Sequence, residues 1–330
     1  MTVPVVRVVD PAHPAGAALD EAARRIRTGG LVAFPTETVY GLGANALDPD
    51  AVARIYVAKG RPATNPLICH VLDAADARHQ LAAHWPPAAT ALADAFWPGP
   101  LTLVLPARQH VPSIITAGTA TVAVRVPSHP VARALLEAAD RPIAAPSANR
   151  SMAISPTSAA HVLASLGDAA EFVLDGGSAS VGIESTVVDL TGSEAVLLRP
   201  GSIGIAALEA VIGPIRLAGA VDDPTLAARS PGRAVRHYAP ATPLRLVERL
   251  DATVPGPIGV ISRIGQLDAP PAAAIVRELP ADPAGYARHL YATLHELDAA
   301  GCREIQLLLP PQTPDWAAIH DRIGRAAAPA

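Results

Sequence analysis

The sequence predicts an α/β protein made of two units joined by a linker. Three observations carry this reading. Helical and strand-like patterns alternate through the first two thirds of the 330 residues. Periodicity then fails from Ile215 to Pro243. A shorter run of α/β pattern follows, about the size of one small domain. The predicted boundaries are 1–214 for the first unit, 215–243 for the linker and 244–330 for the second unit.

The elements follow in order. Leu19 to Arg27 reads as an amphipathic helix stopped by Gly29-Gly30. Leu31 to Phe34 is a short buried strand. Asp48 is the N-cap of a helix that takes Pro49 at its first position and runs through Ile55 to about Lys59. Leu67–Val71 is a strand, and Ala88–Phe96 a helix ending at Trp97-Pro98-Gly99-Pro100. Strands follow at Leu101–Leu105 and Val122–Val126, then a helix over Val131–Ala139. The apolar Ile143–Ala145 leads into Ser147-Ala148-Asn149, and Ser155-Pro156-Thr157 opens a helix. Strands at Phe172–Leu174, Thr186–Leu190 and Val196–Leu198 and a helix near Ala206–Ile212 complete this unit.

The linker holds Asp222-Asp223-Pro224, Ser230-Pro231-Gly232 and Ala239-Pro240. A structureless stretch of this length is foreign to the interior of one compact domain. Beyond it come strands at Leu244–Val247 and Ile258–Ile261 and a helix over Ala284–Ala300 capped by Gly301. A strand at Ile305–Leu309 and a last helix from Asp315 end the chain.

Composition excludes several classes. Half the residues are hydrophobic but only 3% are aromatic, so Ala, Val, Leu and Ile must build the core. A net charge of −4 argues against a protein whose task is to coat nucleic acid, and direct nucleic-acid binding is not expected. Two cysteines, Cys69 and Cys302, rule out a disulfide scaffold and a cysteine zinc site. No signal-peptide stretch opens the chain and no apolar run reaches membrane length, so the expectation is a soluble, cytoplasmic protein without membrane association. Of the 26 basic side chains, Lys59 alone is lysine. Either it survives by chance in an arginine-biased composition, or position 59 needs a compact ammonium that a planar guanidinium does not replace.

There is no Walker-type P-loop, no full dinucleotide fingerprint, no nucleophile elbow and no zinc-spaced histidine pair, so no metal ligand set is assigned. The positive signals lie where buried strands end. Pro35-Thr36-Glu37-Thr38-Val39-Tyr40-Gly41 reads either as an ordinary turn or as a recognition loop for a small polar ligand. Lys59-Gly60-Arg61 leaves a helix C-terminus, where cations also serve as simple caps. Pro62 and Pro66 stiffen the loop that follows, so Arg61 is placed to grip phosphate as a fork and Lys59 as a point charge. His70 ends the next strand, as a core histidine or as a pocket residue. Arg125 lies inside the apolar strand Val122–Val126, so it must reach a carboxylate or a phosphate. Ser147-Ala148-Asn149 and Ser155-Pro156-Thr157 offer hydroxyls, an amide and helix N–H groups to an anion. Glu184-Ser185-Thr186 and Arg199-Pro200-Gly201 repeat the theme.

Taken in order, Pro35–Gly43, Lys59-Gly60-Arg61-Pro62 with Asn65-Pro66-Leu67, Pro146–Asn149, Gly182–Thr186 and Leu198–Gly201 resemble the YrdC-like threonylcarbamoyl-AMP synthases. Ser230-Pro231-Gly232 with Arg236–Pro240 resembles the linker of their longer, two-domain form. Met152 departs from the family pattern, which has Gly there, and Arg233-Ala234-Val235 departs from a more basic-aromatic linker. The resemblance implies a YrdC-like twisted mixed sheet flanked by helices, a linker acting as a lid around His237-Tyr238, and a smaller Rossmann-like α/β domain.

It also implies a nucleotidyltransferase. L-threonine and bicarbonate form a carbamate that attacks the α-phosphate of ATP, with Mg²⁺ expected, to supply the N6-threonylcarbamoyladenosine modification of transfer RNA through downstream transferases. By the same resemblance, Thr36, Thr38, His70, Arg125, the Ala145 backbone and Ser185 hold threonine. Arg61, Asn65, Thr121, Ser147, Ser155, Arg199 and Tyr238 hold ATP. Lys59, Arg61, Ser147 and Asn149 form the catalytic centre. Three rival readings are a double-stranded-RNA-binding module, a carbamoyl-phosphate-using transferase of the hydrogenase-maturation type, and a ligand sensor without turnover.

Overall fold

The computed structural model describes residues 3–218, 236–251, 253–254, 256–267 and 274–329. The expected motifs Asp222-Asp223-Pro224, Ser230-Pro231-Gly232 and Arg233-Ala234-Val235 lie outside them.

Eleven strands form one mixed sheet: β1 (Val5–Val8), β2 (Val32–Phe34), β3 (Gly41–Asn45), β4 (Ile68–His70), β5 (Leu101–Pro106), β6 (Thr121–Arg125), β7 (Ile143–Ala144), β8 (Phe172–Asp175), β9 (Thr186–Asp189), β10 (Val196–Arg199) and β11 (Arg216–Leu217). Their spatial order is β1-β8-β2-β3-β7-β4-β6-β5-β9-β10-β11. Strands β4 and β6 run parallel, whereas β7 runs antiparallel to both β3 and β4. Helices Ala17–Arg27 and Pro130–Ala139 pack together over one cluster of buried aliphatics, and Pro49–Lys59 and Pro87–Phe96 lie over a larger one. The second sheet is wholly parallel, β12 (Leu244–Val247), β15 (Glu304–Leu308), β13 (Ile258–Arg263) and β14 (Ala274–Leu279) in that order. It packs with the helix Pro283–Ala299.

Local chemistry sets the ends that matter. Asp48 accepts from the backbone N–H groups of Asp50 and Ala51 and starts the helix Pro49–Lys59, as its sequence predicts. Gly60, left-handed at φ 60°, ends that helix and turns Arg61 back beneath it. Four strands escape the sequence reading, among them Arg216–Leu217, an exposed edge strand that pairs with β10 inside the stretch expected to be linker. Val5–Val8 is a largely exposed edge, and Ala274–Leu279 is only half-buried. Gly41–Asn45 carries two glycines, which disfavour strands. Packing demands them: a Cβ on Gly43 would stand 2.7 Å from the Phe34 ring and 2.8 Å from Ile143 Cγ2. Ser155-Pro156-Thr157 does not open a helix. That helix begins at Ala159, with Ser158 accepting from the His161 N–H, because Pro156 holds the preceding chain extended.

The two units share a core. The cluster within the C-terminal unit takes in Val39, Ile154 and Ile183 of the first unit and Tyr238 of the linker. Gly182 makes the approach possible. It has φ +83°, and a Cβ there would stand 2.5 Å from Arg288 Cα. Gly182→Ala is therefore expected to cost about 2–4 kcal/mol, from left-handed strain and overpacking. A thermal melt should show a lowering of several degrees, and an unchanged midpoint would refute the account.

Candidate active site

A cavity opens where the termini of β3, β4, β6, β9 and β10 meet and the linker crosses. Thr36, Thr38, Arg61, His70, Arg125, Ala145, Ser147, Ser185, Arg199 and Tyr238 line it, so most of the residues picked from scattered motifs converge. Glu184 and His237 also line it. Both lay in motifs already noted, His237 as part of the expected lid, but neither was assigned a binding or catalytic role.

Three arginines meet there, with exposures of 8% for Arg61, 3% for Arg125 and 3% for Arg199. Arg61 donates from Nη2 to the Pro66 carbonyl at 3.0 Å and from Nε to the Asn65 carbonyl at 3.3 Å, so the proline-stiffened loop aims it. Burial draws its pKa down to about 10, and Arg199 adds to this against the opposing Tyr56 and Tyr238. Arg199 donates from Nε to the Ser185 carbonyl and from Nη2 to the Ser185 hydroxyl, both at 3.1 Å. Unit charges 4 Å apart interact by about 4 kcal/mol at an effective dielectric of 20, so such a cluster selects anions.

Arg125 does reach a carboxylate. Its Nη2 stands 2.7 Å from Glu37 Oε1, its Nη1 donates to the Thr38 hydroxyl at 2.9 Å, and its Nε to the Gly99 carbonyl at 3.3 Å. The two groups form a buried charge pair. Burial raises the Glu37 pKa, but Arg125 outweighs it and the net direction is down. Thr36 and Thr38 share a 2.9 Å hydroxyl bond beside this pair. His70 is buried with an unpartnered Nδ1, and burial together with Arg125 lowers its pKa to about 3. It is therefore a neutral imidazole facing the pocket, not only a core histidine.

Lys59 and Asn149 sit behind the wall. The Lys59 ammonium is 2% exposed and donates to the Ser147 carbonyl at 2.5 Å and to the Asn149 carbonyl. Burial, and then Arg61, push its pKa well below the usual lysine value. The Asn149 amide nitrogen donates to the Arg150 and Ala153 carbonyls, and its Oδ1 has no partner. Lys59 thus ties the Ser147 loop to the end of the helix Pro49–Lys59.

Asn65, Thr121 and Ser155 do not reach the cavity wall. Asn65 stands one bond behind it, through Arg61. Ser155 is fully buried and donates to Glu184 Oε1 at 2.5 Å. Thr121 opens β6 and pairs with the Thr119 hydroxyl at 3.1 Å, four residues from Arg125. That is roughly 13 Å along a strand. Met152, where the sequence reading expects Gly, is left-handed at φ 72°, and its carbonyl accepts from the Ala239 N–H at 2.9 Å. The position thus needs the conformation glycine adopts most readily. Tyr238 is left-handed too, at φ 62°, and its buried hydroxyl has no partner. Among the described residues no group of three His, Cys, Asp or Glu side chains converges as a metal site.

Comparison with known proteins identifies the family. Residues 24–201 match the Sua5/YciO/YrdC family model, described as Telomere recombination, and residues 203–328 match the model described as Threonylcarbamoyl-AMP synthase, C-terminal domain. The chain is 54% identical over 228 residues to the threonylcarbamoyl-AMP synthase of Pyrococcus abyssi, covering 69% of this chain and 67% of the relative. It is 48% identical over 229 residues to that of Bacillus subtilis, covering 69% and 66%. These alignments span about two thirds of the relatives' length. P. abyssi Sua5 complexed with L-threonine superposes with a TM-score of 0.86 at 40% identity, covering 99% of this chain and 97% of that one. Two matched models in tandem, this superposition and the converged pocket lead to one assignment: the chain belongs to the Sua5/YciO/YrdC family, in the two-domain form of the threonylcarbamoyl-AMP synthases.

Proposed function

We propose that this chain condenses L-threonine, bicarbonate and ATP into threonylcarbamoyl-AMP and pyrophosphate, the activated intermediate for N6-threonylcarbamoyladenosine in transfer RNA. The observation that carries the reading is the meeting of Arg61, Arg125 and Arg199 on one cavity beside neutral hydroxyl and imidazole groups. All three substrates bring anionic groups, and threonine adds a hydroxyl.

In this reading the threonine carboxylate lies against the Arg125 guanidinium, which lines the cavity. Thr36, Thr38, His70, the Ala145 backbone and Ser185 surround the rest of the amino acid. The uncharged His70 ring suits a hydroxyl, since either nitrogen can donate or accept without a charge to desolvate. Threonine nitrogen attacks the bicarbonate carbon, water leaves, and a carbamate oxygen then attacks the α-phosphorus as pyrophosphate departs. Arg61 and Arg199 hold the phosphates as charge shifts onto the leaving group, and Ser147 lines the path between the substrates. Tyr238 of the linker covers the nucleotide, which protects a carbamate that water would destroy.

Mg²⁺ is expected to enter with ATP. The described residues give it no carboxylate cluster, because Glu37 and Glu184 are each committed to an arginine. The phosphates would carry it, and no step is assigned to it. Downstream threonylcarbamoyl transferases and a cytoplasmic location belong to the same reading. No described helix is long and apolar enough to cross a membrane.

The test is pyrophosphate release from ATP with threonine and bicarbonate omitted in turn, and mass detection of the adenylate. Release that needs both supports the reading. Nucleotide and threonine binding without release makes the chain a sensor instead and refutes synthesis.

A further inference from the structure

Glu184 places a carboxylate on the wall of a cavity built for anions. Its charge is met from the C-terminal unit. Arg322, on the helix Ala317–Ala326 and fully buried, donates from Nε to Glu184 Oε2 at 2.7 Å and from Nη2 to the Glu184 carbonyl at 3.4 Å. Tyr291, on the helix Pro283–Ala299, donates its hydroxyl to the same Oε2 at 3.0 Å. Asp321 accepts from Arg322 Nη1 at 2.5 Å and also pairs with Arg325. The Arg322 guanidinium stands 5.3 Å from the centre of the Tyr238 ring, within cation–π range. Burial pushes the Glu184 carboxyl up, but Arg322 first and then Arg199 overcome this and hold it at about 2.

We propose that Arg322 is a positioning residue for the nucleotide half of the cavity: by engaging Glu184 it keeps that carboxylate from competing with the ligand for Arg199. After Arg322, the cation that acts most on Glu184 is Arg199, which shares the cavity wall with it and bonds the adjacent Ser185. A buried carboxylate stripped of its partner seeks another cation. Without Arg322, Glu184 would pull on Arg199 and present an uncompensated negative charge to ATP. Tyr238 would also lose the cation against its ring. The C-terminal unit thereby sets the charge of a site to which none of its described residues contributes lining.

The inference rests on the proposed function for the identity of the nucleotide, so its readout is ATP binding rather than turnover. Titration calorimetry on the full chain should show the ATP Kd of Arg322→Met raised at least about tenfold, with Arg322→Lys raised less. The decisive variant is Glu184→Gln with Arg322→Met, which removes both charges. Its ATP Kd should return to within about threefold of the unaltered chain, a rescue that a merely structural role would not produce. An unchanged Kd in Arg322→Met, or a double variant no tighter than Arg322→Met alone, overturns the proposal. Should Arg322→Met fail to fold, the double variant decides by itself: a Kd raised tenfold or more overturns it. An unaltered chain that binds ATP but releases no pyrophosphate would sink the proposed function and leave this inference standing.

Discussion

Lys59→Arg is expected to lose turnover by roughly a hundredfold or more although the charge is kept, with Lys59→Met at least as impaired. Lys59 is enclosed at 2% exposure, and its ammonium gathers the carbonyls of Ser147 and Asn149 from one loop. Its own carbonyl accepts from the Ser151 N–H at 2.8 Å. A guanidinium is planar and larger, so it would push that loop away, and overpacking of this kind costs about 1–3 kcal/mol. Methionine fits the space but leaves the buried Asn149 carbonyl unpaired, at about 1–3 kcal/mol, and the Ser147 carbonyl held only by the Asn149 N–H. Either change moves Ser147 on the cavity wall, and a displacement of about 1 Å near reacting atoms is worth roughly a hundredfold in rate. Threonine- and bicarbonate-dependent pyrophosphate release, measured beside a thermal melt, checks this. Turnover within about threefold of the unaltered chain would end the idea.

Arg125→Ala should raise the threonine KM by roughly 10- to 100-fold, the worth of one charged hydrogen bond of about 1.5–3 kcal/mol. The ATP KM should move much less. The variant should also be less stable by about 3–5 kcal/mol, because Glu37 would then be a buried carboxylate without its cation. Adding Glu37→Gln separates the two effects. It should restore much of the stability and leave the threonine defect in place, since the amide relieves the stranded charge but supplies no cation. An unaltered threonine KM, or a defect that Glu37→Gln repairs, would show that Arg125 only balances Glu37.

The parts of the fold legible in the sequence are those where local chemistry and burial agree. Asp48 followed by Pro49 marks a helix start that the structure keeps. The aliphatic run Leu101–Leu105 is buried throughout in β5. Strand Gly41–Asn45 was hidden because its glycines answer to the bulk of Phe34 on the neighbouring strand and of Ile143, which lies far off in the chain. Ser158, not Ser155, caps its helix, since both serines carry the same local signal and only Pro156 between them distinguishes their backbones. Strand Val5–Val8 was hidden for another reason: an exposed edge has no buried face to impose alternation.

The candidate site divides the same way. A cation in an apolar strand must be paired, so Arg125 announces itself, and its partner Glu37 lies in the very loop that the sequence singles out. Glu184 and His237 were visible as motif members, but their place on the wall was not. Arg322 gave no signal at all. Among the charges of a terminal amphipathic helix it reads as one more solvated arginine, yet it is wholly buried.

Sequence alone determined which residue types were on hand for anion chemistry, their order, and the two-unit plan, because those follow from composition, spacing and local backbone preference. Only the tertiary structure decided that Lys59 braces a loop from behind the wall, that Asn65, Thr121 and Ser155 stand off the cavity, and that the C-terminal unit answers the charge of Glu184. Those outcomes depend on distances between groups remote in the chain, and charge and burial act through space without regard to sequence separation.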